Sequence, residues 1–301
     1  ALFTNTTGSN NLAIGICTLG LNTYGSNNFA QGFCALGQNT TGSNNIAIGC
    51  CALLCNATGS NNIAQGYQAL VLNTTGNNNI ALGYNTLSKN TFGCNNFAAG
   101  CVALCGNTSG CSNTAIGFYA LGCNTTGNQN TAIGSCALGL NTTGCSNIAI
   151  GYFALFGNTF GCNNFAVGSN ALSSNTTGSN SVAIGQDALR GYTGLNVTAS
   201  NVAIGYQAMC CTTTGCQNIA IGYAALAKNT TGYYNIAQGY TVLCANTTGS
   251  QNIAFGFSAM SNNTTGGCNI AIGTYALNRN TGGMNNCLLY TSPSPRDGLL
   301  S

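Results

Sequence analysis

Charge is nearly missing from this chain. Asp, Glu, Lys and Arg make up 2% of its 301 residues, against about 25% in an ordinary globular protein. Histidine, glutamate and tryptophan do not occur, and the acids are Asp187 and Asp297. General acid–base catalysis needs His, Asp, Glu or Lys with a tuned pKa, so an enzyme is not expected. Five scattered Lys and Arg residues are too few to neutralise a phosphate backbone, which sets nucleic acid aside as a partner. No apolar run reaches the ~20 residues of a membrane helix, so no membrane span is expected. Disorder normally combines low hydrophobicity with high net charge. This chain is 45% hydrophobic with a net charge of +3, which does not fit that class.

What is present is one unit, repeated. Asn recurs every 17 residues from Asn5 to Asn175, and after three extra residues within 194–200 the step resumes through Thr212 to Asn280. The consensus is N-T-T-G-x-N-N-I-A-I-G-x-x-A-L-x-x, numbered here as positions one to seventeen, with sixteen full copies and a shortened seventeenth. Position nine is Ala and position eleven Gly in all sixteen full copies.

Seventeen residues with two glycines and several asparagines are too short and too helix-breaking for a helical-hairpin repeat. I-A-I-G, rich in β-branched residues and bounded by Asn and Gly, reads as a short strand. N-T-T-G and S-N-N read as turns, and A-L as a second strand or a short edge. The expected fold is all-β: a β-solenoid of about sixteen 17-residue coils with two or three short strands each. Stacked at about 4.8 Å per coil, sixteen coils would make a rod roughly 80 Å long, each coil touching only its neighbours.

Stacking turns each position into a column. Like charges every ~4.8 Å would repel, whereas asparagines can form amide ladders. The few charges keep to one edge, with Lys89, Lys228 and Arg279 at position seventeen and Arg190 at sixteen. Apolar columns at positions eight, ten and fifteen are expected inside, with Gln31, Gln65 and Gln238 interrupting position ten. The invariant Ala column, including Ala13, Ala47, Ala149 and Ala220, then faces the other way. Either two layers of one coil approach closely there, or another chain packs on it.

Further columns carry chemistry. Nineteen cysteines are present, and same-column neighbours fall within the Cα range of a disulfide, about 4.4–6.8 Å. Cys94–Cys111, Cys145–Cys162 and Cys17–Cys34 are the expected pairs, and they favour an oxidising, extracellular setting. The cysteine columns lack C-x-x-C pairs at zinc spacing, so neither metal nor cofactor is expected. N-x-[ST] sequons recur, and Asn39, Asn73, Asn124, Asn141, Asn229 and Asn246 are candidate glycosylation sites or plain turn residues. Position twelve carries an aromatic stripe that includes Tyr67, Tyr84, Tyr206, Tyr223 and Tyr240. It suits glycan binding, chain packing or simple stacking. The Thr column at position two admits an ice-binding reading.

At N-x-A-I-G-x-x-A-L the repeat resembles the head repeats of trimeric autotransporter adhesins, whose S-V-A-I-G is matched at Ser181–Gly185. It also resembles the N-T-T-G-x-N-N-x-A-I-G-Y-x-A-L arrays of phage tail-fibre-like proteins, over nearly all of 1–286. The resemblance implies a β-solenoid, often trimeric, engaged in surface attachment. From Cys287 the pattern stops, and Cys287–Ser301 resembles a translated sequencing adapter. The expected organisation is therefore a single array over 1–286, cut at both ends, followed by a non-native tail over 287–301. The functional expectation is a structural, extracellular or cell-surface solenoid that forms or decorates a fibre by self-association. An adhesin or virion tail-fibre shaft presenting a terminal binding domain is the alternative, and an ice-binding protein the second alternative.

Overall fold

A computed structural model describes residues 1–193 and 200–289. The chain is an all-β parallel solenoid that divides into two compact units, Ala1–Asn164 and Phe165–Ser301. Among the described residues the first unit holds nine strands, β1 (Leu12–Ile14) and β2 (Phe29–Gln31) through β9 (Ile148–Ile150), and the second holds eight, β10 (Phe165–Val167) through β17 (Cys287–Leu289). Each strand has three residues and pairs in parallel with the equivalent strand one repeat along. In the first unit, Ala13 lies opposite Ala30, and Ala30 opposite Ala47. The columns expected from the repeat are therefore vertical neighbours. In the second unit β11 (Val182–Ile184) pairs with β12 (Val202–Ile204) across the longer step, with Ala183 opposite Ala203. Of the insertion placed within 194–200, residues 194–199 lie outside the described residues.

Among the described residues each coil carries one strand, not two or three. The A-L segment is a turn, because the leucine at position fifteen adopts a left-handed backbone, with φ of 50° at Leu53 and 53° at Leu70. Position thirteen is left-handed as well, as at Cys51 (57°) and Gln68 (53°). Such conformations cost a non-glycine residue about 1–2 kcal/mol. They persist because the turns, like the strands, are hydrogen-bonded to neighbouring coils: Leu36 N–H donates to Ala52 O at 3.0 Å and Thr40 N–H to Ala57 O at 3.0 Å. Gly at position eleven is required for two reasons. Its φ is near +130°, as at Gly32 (133°), and a Cβ there would lie 2.5 Å from Gly49 O in the next coil.

The leucine column at position fifteen lies inside as expected, but the strand faces the opposite way to the expectation for positions eight and ten. Ala at position nine, Ala at fourteen and Leu at fifteen are fully buried, as Ala47, Ala52 and Leu53 show. The isoleucines at eight and ten point outward, Ile46 being 38% exposed. The small residue of the strand faces in and the β-branched ones face out. The Ala column, with Ala47, Ala149 and Ala220 wholly buried and Ala13 half-buried in the first coil, is the interior of the coil. It is not a docking stripe for another chain.

The asparagine columns form the expected ladders. At position one Asn39 Nδ2 donates to Asn22 Oδ1 (2.7 Å) and Asn56 Nδ2 to Asn39 Oδ1 (2.8 Å). At position seven Asn45 Nδ2 donates to Asn28 Oδ1 at 3.1 Å. The two ladders meet on the position-four carbonyl: Gly42 O accepts from Asn39 Nδ2 and Asn28 Nδ2, each at 2.9 Å. At the far end, Cys287–Leu289, set aside above with the 287–301 tail, forms β17 and pairs with β16 (Ile270–Ile272). An open strand edge accepts any short extended backbone, and all three residues stay exposed. The remainder of that tail lies outside the described residues.

Candidate functional site

The feature with functional potential is the outward strand face. In the first unit it presents Leu12, Ile14, Ile46, Ile116, Ile133 and Ile150 as exposed apolar side chains, and in the second Ile219, Ile270 and Ile272. Gln31, Gln65 and Gln238, which interrupt position ten, are also exposed. That polar choice makes sense only for a column facing out. Ordered apolar columns in water are unusual for a lone soluble chain, and the sparse charge leaves little to keep two such faces apart.

The aromatic stripe at position twelve is exposed and internally stacked. Tyr67 and Tyr84 have ring centroids 5.4 Å apart at an interplanar angle of 9°. In the second unit Tyr206–Tyr223, Tyr223–Tyr240 and Tyr240–Phe257 continue at 5.3, 4.9 and 5.2 Å. In these pairs the ring faces cover one another. Each stacked pair is worth about 0.5–1.5 kcal/mol beyond area burial.

The expected glycosylation sites are internal. Asn39, Asn73, Asn124, Asn141, Asn229 and Asn246 are all fully buried. Their Nδ2 atoms are committed to the ladder, for example Asn124 to Asn107 Oδ1 at 2.9 Å, or to the position-four carbonyl, as Asn229 to Gly232 O at 3.0 Å. A folded coil cannot present these amides to a glycosylating enzyme. Asn262, which also heads a sequon, is exposed at position seventeen.

The cysteines expected as disulfides, Cys94, Cys111, Cys145, Cys162, Cys17 and Cys34, form no disulfide bond. At position five, cysteine stands in for serine. Ser26 N–H donates to Ser43 Oγ at 3.0 Å, and Cys94 N–H donates to Cys111 Sγ, as Cys145 N–H does to Cys162 Sγ, at 3.1 Å. The sulfur is an acceptor in a column of side chains, and it donates back to its own turn, Cys145 Sγ to Thr143 O at 3.3 Å. Elsewhere burial, then a hydrogen bond to the adjacent Cys50, pushes the Cys51 thiol up to about 11. The Tyr119 phenol, hydrogen-bonded to Cys123 Sγ at 2.9 Å, is pushed up to about 12 by that bond first and by burial second.

The Thr column at position two is spent internally. Thr23 Oγ1 donates to Thr40 O and Thr40 Oγ1 to Ala57 O, each at 2.9 Å. The sole ion pair among the described residues is Arg190–Asp187 at 3.5 Å. No group of three or more His, Cys, Asp or Glu is arranged to hold a metal ion, and no helix is long and apolar enough to cross a membrane, both among the described residues. No protein-family model matches the chain, and no curated protein sequence matches it.

Proposed function

We propose that this chain is a structural, non-catalytic β-solenoid that forms or decorates an extracellular surface fibre by self-association. The observation that supports this reading is the pair of outward apolar columns at positions eight and ten, standing on a rigid ladder at one coil's spacing. Fully covering a Val, Leu or Ile side chain is worth about 1.5–3 kcal/mol, so half-exposed ones recover about 1 kcal/mol each. Several such residues from each copy match the low end of the 4–15 kcal/mol estimated as the cost of association. A second copy of the same face is the natural occupant, because its columns repeat at the same interval and carry almost no charge.

The test is sedimentation of the reduced chain across a concentration series, beside a variant with Ile46→Lys, Ile116→Lys and Ile150→Lys. Association of the parent and a monomeric variant with unchanged circular dichroism support the reading. A parent that stays monomeric at high concentration overturns it. A closed trimer, in place of open filaments, would favour the adhesin or tail-fibre shaft form of the same reading.

A further inference from the structure

Two places in the chain bring sequence-adjacent thiols into contact. In the first unit Cys50 Sγ lies 3.6 Å from Cys51 Sγ, and in the second Cys210 Sγ lies 3.5 Å from Cys211 Sγ. Neither pair belongs to the Asn ladders or to the outward strand face. Cys50 and Cys51 occupy positions twelve and thirteen, just past the position-eleven glycine, where the backbone turns left-handed at Cys51. Cys210 and Cys211 occupy sixteen and seventeen, on the edge that also carries the charges. Cys50, Cys51 and Cys210 are half-buried and Cys211 is exposed, so reagents can reach both pairs.

The spacing selects a ligand class. A linear two-coordinate ion holds its sulfurs about two metal–sulfur bonds apart, roughly 4.6 Å for bonds of ~2.3 Å, wider than either pair. Tetrahedral zinc needs further ligands, and among the described residues no group of three or more is arranged to give them. A bent, two-thiolate centre that brings its own third substituent fits instead. Trivalent organoarsenic is such a centre, with two sulfur bonds at a narrow angle. Cys34, whose thiol interacts with those of Cys50 and Cys51, lines an apolar groove of about 250 Å³ with Phe3, Cys17, Leu21 and Leu54. The groove offers an apolar surface for an aryl group carried on arsenic.

We propose that Cys50–Cys51 and Cys210–Cys211 are vicinal-dithiol sites, each taking one trivalent organoarsenical as a cyclic dithioarsenite. With an aryl arsenic(III) oxide, two As–S bonds form and the bonds from arsenic to oxygen break. The two thiol protons leave with that oxygen as one water, and no atom changes oxidation state. Burial first, and then the hydrogen bond to the neighbouring thiol, push the Cys51 and Cys210 thiols up to about 11.

The experiment uses the full, reduced chain with phenylarsine oxide, read by intact mass. Two adducts per chain are expected, retained in excess 2-mercaptoethanol and removed by 2,3-dimercaptopropanol. Cys51→Ser alone and Cys211→Ser alone should each leave one adduct. The double variant keeps 17 of the 19 cysteines and should leave none, with circular dichroism unchanged. Cys50→Ser with Cys210→Ser gives the same outcome from the opposite partners and guards against a misfolded first variant. Two retained adducts in both double variants, adducts stripped by the monothiol, or no adduct on the parent would each overturn the proposal.

Discussion

Replacing Asn73 with Ala removes one rung from the position-one ladder of the first unit. Asn73 is fully buried. Its Nδ2 donates to Asn56 Oδ1 at 2.8 Å and Gly76 O at 3.0 Å, and its Oδ1 accepts from Asn90 Nδ2 at 2.8 Å. Gly76 O keeps its bond from Asn62, and Asn90 keeps its bond to Gly93. Asn56 Oδ1 loses this donor in a buried site. Three bonds at about 1 kcal/mol each, with about 1–3 kcal/mol for the stranded acceptor, give an expected loss of about 4–6 kcal/mol. That equals or exceeds a typical buried Leu→Ala change of about 2–5 kcal/mol. Coils interact with their neighbours alone, so the damage should stay local. Urea denaturation gives the magnitude, and amide hydrogen exchange should show lost protection centred on the coils of Asn56, Asn73 and Asn90. Exposed Thr75, replaced by Ala, is the control and should change stability by less than about 0.5 kcal/mol. Equal effects for the two variants would refute the ladder as a source of stability.

Three more outcomes follow from particular residues. Thr212 stands where the ladder wants Asn, and its Oγ1 is buried without a hydrogen bond; Thr212→Asn, regaining a bond from Asn229 and one to Gly215 O, should raise the denaturation midpoint by the equivalent of about 1–2 kcal/mol. Cys51 and Cys210 are raised from 9.0 to about 11, and Tyr192 from 10.0 to about 12, chiefly by burial. The fold therefore holds the neutral forms while the unfolded chain ionises first, so stability should be level below about pH 9 and fall as pH rises through 9–12 in a thermal-melt series. In a glycosylating host, peptide mapping of the folded chain should find sugar on exposed Asn262 and none on buried Asn73.

The repeat made the period, the parallel register and the vertical alignment of Ala13, Ala30 and Ala47 legible in advance, because any stacked 17-mer must superpose equal positions. The Asn ladders were legible for the same reason. Which side of I-A-I faces inward was not. Alternation defines two faces without saying which is buried, and the larger apolar residue was the natural choice for the core. Packing against the rest of the coil, a tertiary property, reverses that choice. The left-handed leucine at position fifteen was equally hidden, since Leu gives no local sign of a positive φ and the cost is offset by hydrogen bonds from the neighbouring coil. The sequons coincide with the ladder because glycosylation and the ladder both call for Asn at position one. The cysteines misled because a thiol at position five can do the work of a serine hydroxyl.

The most direct test of the inside-out strand is a pair of neighbouring substitutions in the strand Ile46–Ile48. Ala47→Asn places a larger polar group where no space or water exists and should cost at least about 3 kcal/mol in denaturant titration. Ile46→Asn changes an exposed column and should cost less than about 1 kcal/mol. The opposite order, with Ile46→Asn the more damaging in a chain kept dilute enough to be monomeric, would contradict the account.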